Sequence, residues 1–209
     1  MVIGLIMDSV LHIHKNNKLI ISFGGTAVNN IQKFESVNTL EKIFPEYSKI
    51  FFIDRKCSWY HKGICSKSDS IKSTVEYIKQ LIEPYSEVSM IGVSMGGYAA
   101  ILFGSLLNVK NVIAFIPQTR LDKSPIFNNK YLNLRRVINK TTKYSIYGAK
   151  NMGGNHCVSQ YNNMKGFSNV DLTIVDICNI KMMRDNGDYS KVLKEKIDQD
   201  ENNNAPLPP

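Results

Sequence analysis

Short apolar runs rich in β-branched residues alternate along this chain with longer segments whose apolar positions recur every three or four residues, the signatures of buried strands and amphipathic helices. The run "MVIGLIMDSV" (residues 1–10) reads as a first strand. "KLIISF" (Lys18–Phe23) follows the turn signal Asn16-Asn17 and reads as its hairpin partner. Ile31, Phe34, Leu40 and Ile43 lie near one helical stripe between Asn30 and Phe44, and Pro45 stops it. "KIFFID" (Lys49–Asp54) is again a buried type of strand. Ile71, Val75, Ile78 and Ile82 predict a helix from Asp69 to Glu83, capped by Ser68 or Asp69 and ended by Pro84. A strand over Val88–Val93 leads into a helix of small and apolar residues over Tyr98–Leu107.

The alternation continues with a strand over Asn111–Ile116, a helix near Tyr131–Ile138 and a strand over Lys143–Tyr147. A helix from His156, a strand over Val170–Val175 and a last helix through Val192, Leu193 and Ile197 complete it. Strands that alternate with helices predict an α/β domain with a mainly parallel sheet covered on both faces. The interval between the strand at Asn111 and the one at Lys143 is too short for a lid, so an open site is expected. Residues 1–198 are expected to form one domain; the polar, proline-rich tail 199–209 cannot bury enough surface to order itself.

Composition narrows the function classes. With 209 residues, 43% hydrophobic and 21% charged, the chain is long enough for one core. Its net charge of +8 raises nucleic acid or a membrane surface as partners, but the basic residues are scattered. The densest stretch, Lys130–Lys143, lacks any recognition-helix or RNP-like pattern and reads as a solvated face. No nucleic-acid partner is expected. Four cysteines show no C-x-x-C pair and no zinc spacing with the four histidines, so free thiols and no metal are expected. The apolar N-terminus has no basic flank or cleavage site, and no run approaches the ~20 residues of a membrane span. A cytoplasmic location is expected.

The candidate chemistry lies in "VSMIGVSMGGYAA" (Val88–Ala100), where Gly92, Ser94 and Gly96 form G-x-S-x-G between a clean strand and a helix. In that context the serine sits on a sharp strand-to-helix turn that needs small neighbours, and Ser94 is the candidate nucleophile. "SFGGTA" (Ser22–Ala27) repeats the strand-to-glycine pattern earlier in the chain. The bland alternative is that Gly24 and Gly25 merely turn the chain and Ser94 merely caps a helix.

With "DRKCSWYHKG" (Asp54–Gly63), "GVSMGGYAAILFG" (Gly92–Gly104) and "AFIPQT" (Ala114–Thr119), the sequence resembles the α/β-hydrolase superfamily over nearly its whole length. It is similar in particular to small hydrolase-like proteins associated with bacterial surface-glycan and capsule genes, and to acyl-transfer proteins of accessory secretion systems. The resemblance implies a serine nucleophile acting on a small-molecule or glycan acyl ester, with no metal or organic cofactor. It also implies an oxyanion hole from the amides of Met95 and of Gly25 or Thr26.

The resemblance further implies an acid after the strand at Lys143–Tyr147 and a histidine after the last strand. This chain has Asn151 and Asn155 at the first place and Cys178-Asn179 at the second. Only His156 follows Ser94 as a possible base, with Asp176 or Asp122 as its orienting carboxylate, an unusual order that geometry still permits. Cys178 reads as a buried structural thiol, because nothing near it argues for thiolate. His12 and His14 alternate on the first hairpin and are expected to face solvent. Trp59, Tyr60 and His61 follow a central strand and are candidate substrate contacts or, equally, a cover over the local core. Two functions therefore stay open: a serine esterase or acyltransferase, and a catalytically degenerate relative that binds a glycan or a protein.

Overall fold

The computed structural model describes residues 9–26, 33–150, 158–175 and 180–198. Among these residues, seven strands form one sheet: β1 (Val10–Ile13), β2 (Lys18–Phe23), β3 (Ser48–Phe52), β4 (Glu87–Val93), β5 (Asn111–Phe115), β6 (Lys143–Ala149) and β7 (Val170–Val175). Their order is β1-β3-β2-β4-β5-β6-β7, parallel except for β1. The apolar runs become strands because both of their faces are buried. In β5, Val112 and Ala114 join one core cluster while Ile113 and Phe115 join the other.

Helices α1 (Val37–Ile43) and α6 (Asp188–Ile197) cover one face through Leu40, Tyr189, Leu193 and Ile197. On the other face lie α2 (Ile71–Ile82) and α3 (Met95–Leu107), where Ile71, Ile78 and most of α3 are buried. Two short helices, α4 (Val158–Asn162) and α5 (Ile180–Asp185), follow β6 and β7. Ile180 and Met183 of α5 pack, as does Val93 of β4, against Ile116 and Ala149, so α5 sits over the C-terminal ends of the central strands. No described helix is long and apolar enough to cross a membrane.

The structure corrects several expectations. β1 pairs antiparallel with β3, not with β2, so the opening hairpin does not form; residues 1–8 of the expected first strand lie outside the described residues. The 14–17 connection instead crosses the end of β3, where Lys15 N–H donates to Ser48 Oγ at 2.9 Å and Ser48 Oγ donates to the Asn16 carbonyl at 2.7 Å. Helix α1 is shorter than its apolar stripe, because Ser36 at φ 66° breaks the chain ahead of Val37. The cap of α2 is Ser70, whose side chain accepts from Ser73 N–H in a capping box.

No α-helix forms near Tyr131–Ile138. Leu121 N–H donates to the Leu132 carbonyl at 2.8 Å and Leu134 N–H to the Thr119 carbonyl at 2.9 Å, so these groups are diverted from helical bonds and only two 3₁₀ turns remain. Helix α5 was not anticipated by the periodicity.

Candidate active site

Ser94 joins β4 to α3 at φ 54°, ψ −117°, a region that L-residues avoid and that costs of order 1–3 kcal/mol. The strain is held by its neighbours. Ser94 N–H donates to the Phe115 carbonyl at 2.9 Å, and Tyr98 N–H returns to the Ser94 carbonyl at 3.0 Å as the first bond of α3. Close approach explains the glycines: a Cβ on Gly92 would meet the Gly96 carbonyl at 2.2 Å, and one on Gly96 would meet Phe23 O at 2.1 Å. The helix start is thereby pressed against the end of β2, where the Gly24–Thr26 loop begins. A Cβ on Gly25 would lie 3.2 Å from Val93 O, so this loop abuts the residue before Ser94. Met95 opens α3, and Gly25 and Thr26 flank the same turn, half-buried and exposed respectively.

The segment after β3 braces this arrangement from below. Asp54 is fully buried, and its carboxylate accepts from Ser58 N–H at 2.6 Å, Tyr60 N–H at 2.8 Å, Lys56 N–H at 3.0 Å and Ser58 Oγ at 3.1 Å. The loop curls around it through left-handed backbone at Cys57 (φ 46°), Trp59 (φ 52°) and Tyr60 (φ 61°). Tyr60 is consequently turned inward, fully buried, with its hydroxyl donating to Gly24 O at 3.0 Å and sharing Phe52 O at 3.2 Å. Burial raises its phenol well above the ordinary tyrosine range, so it acts as a neutral donor that holds the Gly24 backbone. Asp54→Ala would leave at least two buried amides unpaired. It is expected to cost about 2–3 kcal/mol in denaturant melts, and a midpoint within error of wild type would contradict this account.

His61 is only 5% exposed. Its Nδ1 accepts from Asn128 N–H at 2.7 Å, which places the proton on Nε2, where it donates to Tyr98 Oη at 2.7 Å; Tyr98 in turn donates to the Tyr131 carbonyl at 2.7 Å. The imidazole thus pins the 120–133 excursion to α3. Burial holds its pKa down at about 4, against 6.5 for a free histidine. The unfolded chain therefore takes up this proton first as pH falls. Stability from His61 is complete above pH 6.5 and drains away towards pH 4, by about 1–2 kcal/mol after allowance for partial solvent access. His61→Gln is expected to flatten that part of the stability–pH curve; parallel curves for the two proteins would show that His61 does not carry it.

Of the proposed substrate contacts, then, Tyr60 and His61 are core residues, because the left-handed turn sends both side chains inward. Trp59 remains half-buried at the edge, its Nε1 donating to Gln118 Oε1 at 2.5 Å and its ring edge-on to Phe127 with centroids 5.6 Å apart. Gln118 follows another strained residue, Ile116 at φ 42°, which bends the end of β5 so that Pro117 reaches within 3.1 Å of a Cβ built on Gly97. Gln118, Asp54 and Tyr98 also build the site; each lies inside one of the three motifs that carry the resemblance, but only their contacts in the fold show the role.

His156 and Asp176 lie outside the described residues, as do Asn151, Asn155, Cys178 and Asn179. Asp122 is exposed on the loop after β5. The strand that precedes His156, β6, is two places from β4, and the helix that follows Asp176, α5, begins with Ile180, which packs on the same cluster of Ile116 and Ala149 as Val93. His12 and His14 are exposed, as expected, and share Tyr85 Oη at 3.2 and 2.9 Å, on the far edge of the sheet. Among the described residues, no group of three His, Cys, Asp or Glu side chains is placed to hold a metal ion.

This architecture is an α/β-hydrolase fold. It is similar to the capsule O-acetyltransferase of Neisseria meningitidis serogroup A, solved in complex with CoA, with a TM-score of 0.66 and 16% identity over 88% of this chain and 90% of that one. An α/β-hydrolase enzyme from a sediment metagenome of the Mar Chica lagoon, Morocco, matches with a TM-score of 0.61 and 16% identity over 91% and 94% of the two chains. A glycosylation-associated protein complex from Streptococcus agalactiae matches with a TM-score of 0.61 and 12% identity over 90% of this chain and 47% of that one. No protein-family model and no curated protein sequence matches the chain.

Proposed function

We propose that the protein is a serine-dependent acyl-ester hydrolase or acyltransferase, with an O-acyl group on a glycan as its substrate class. The observation that carries this reading is the strained backbone of Ser94 at φ 54°, ψ −117°, set at the C-terminal edge of the sheet against the Gly24–Thr26 loop. The capsule O-acetyltransferase, on the same fold, supports transfer to a glycan hydroxyl. Ser94 Oγ attacks the acyl carbonyl, His156 takes the hydroxyl proton, and the amides of Met95 and of Gly25 or Thr26 bind the oxyanion. Collapse expels the alcohol, which receives the proton from His156. Water or an acceptor hydroxyl then removes the acyl group by the reverse sequence. Asp176 orients the imidazole in this reading, which draws support from Ile180 and Val93 packing on the same pair of residues, Ile116 and Ala149.

The rival reading is a binding protein that has lost catalysis. It draws on Asn151, Asn155 and Cys178 at the places where the resembling proteins keep an acid and a histidine. Incubation with a fluorophosphonate, followed by peptide mass mapping, decides between them. An adduct on the Ser94 peptide is expected. A folded protein that takes up none would replace the enzyme reading with the binding one.

A further inference from the structure

A carboxylate that the proposed reaction does not use lies on the oxyanion loop. Gly25 N–H donates to Glu35 Oε1 at 3.4 Å, and Glu35 Oε2 accepts from Arg184 Nη2 at 3.0 Å. Both partners are aimed by their surroundings. Ser22 Oγ donates to the Glu35 carbonyl at 3.0 Å, and the left-handed turn at Ser36 places its Oγ 2.9 Å from Tyr189 Oη. Arg184, on α5, lies over the Tyr189 ring at 5.1 Å and donates to Ser36 Oγ at 3.4 Å. A Cβ on Gly25 would meet Glu35 Oε1 at 3.2 Å and Val93 O at 3.2 Å, so the carboxylate stands beside the residue that precedes Ser94. The Glu35 and Arg184 side chains keep 27% and 35% of their surface exposed, which leaves the carboxylate a solvent side to withdraw to.

An amide that donates to a carboxylate is not available to an oxyanion, and a fixed negative charge within ~5 Å of a developing alkoxide opposes its formation. We propose that Glu35 is a brake on the oxyanion hole, resting on the serine reading above. In the resting protein it fills the Gly25 amide, and it must withdraw onto Arg184 alone before the Ser94 adduct is stabilised. Arg184 is the counterweight: its charge draws the carboxylate off the amide and screens it from the oxyanion. Glu35 is a positioning residue in this scheme, since it acts through the Gly25 amide and touches no reacting atom.

The test follows the reaction of an uncharged fluorophosphonate with wild type, Glu35→Gln, Glu35→Ala and Arg184→Met, resolved into a maximal rate and a half-saturating concentration. Glu35→Ala, which frees the amide and removes the charge, is expected to raise the maximal rate roughly 10-fold, a fraction of the ~10²–10³ that a whole oxyanion donor is worth, and Glu35→Gln, whose amide oxygen still accepts from Gly25 N–H, to raise it less, both with half-saturation unchanged. Arg184→Met is expected to lower it several-fold. A merely structural pair would slow all three variants. Glu35 variants that react at or below the rate of a wild type labelled on Ser94 overturn the brake. If those variants do not fold, an Arg184→Met protein that reacts as fast as wild type overturns it alone. Folded proteins that all fail to label overturn the serine reading, and the brake with it.

Discussion

Ser94→Ala is expected to take up no fluorophosphonate and to hydrolyse activated acyl esters at least ~10³-fold more slowly than wild type, the order lost when a serine nucleophile is removed from a working triad. Stability should not follow activity. Alanine keeps the same backbone at φ 54°, ψ −117° and the same bond from residue 94 N–H to the Phe115 carbonyl at 2.9 Å, so only the reacting oxygen is removed. The melting midpoint is expected to stay within about 1 kcal/mol of wild type, as for a half-buried polar truncation. Ser94→Gly separates the two properties further. Its backbone reaches this region without the Cβ clash, so it is expected to be inactive and about 1 kcal/mol more stable than wild type. Persistent labelling of Ser94→Ala would place the nucleophile elsewhere, and a glycine variant no more stable than wild type would remove the strain argument.

How much of this was legible from the chain depends on how local the determining contact is. The central strands were readable because each is buried on both faces, and the elbow because its glycines and serine are adjacent in sequence. The partner of β1 was not readable, since Val10 opposes Phe52 and no local pattern reports a choice between β2 and β3. Lys49 is another case: a charged residue inside a strand, yet fully buried, because its ammonium donates to the carbonyls of Phe44 at 2.5 Å and Tyr47 at 2.8 Å. Within the site, the aromatic run after a central strand left a ligand-facing wall and a cover over the core equally open at Trp59, Tyr60 and His61. The buried Asp54 carboxylate curls the loop so that Tyr60 and His61 turn inward, which only three-dimensional hydrogen bonding reveals. Glu35 and Arg184 stand 149 residues apart and carry no motif, so nothing in either neighbourhood pointed to the other.

The largest structural effect is expected at Gly96. Its backbone is not left-handed, so conformational freedom is not why glycine is needed there; contact is. An alanine Cβ would sit 2.1 Å from Phe23 O, 2.8 Å from Phe23 C and 3.1 Å from Gly24 C, all backbone atoms. Phe23 ends β2, which is hydrogen-bonded between β3 and β4, so it cannot retreat sideways. Relief requires α3 to lift, and residues Met95 to Ser105 of that helix are buried, so the lift opens the core. Overpacking against fixed backbone typically costs 1–3 kcal/mol and more where nothing yields, which puts Gly96→Ala at about 4 kcal/mol. For a chain of this size that is a fall of roughly 10 °C in melting midpoint. Gly97→Ala is the control, because its nearest contacts are milder, 3.1 Å to Pro117 Cβ and 3.2 Å to Gly92 O. Lifting α3 also separates the Met95 amide from the Gly24–Thr26 loop. The folded fraction of Gly96→Ala should therefore label more slowly than folded Gly97→Ala. A Gly96→Ala protein that melts within 2 °C of wild type, a shift worth only about 1 kcal/mol in a chain of this length, would mean that the elbow is not packed against β2 as described.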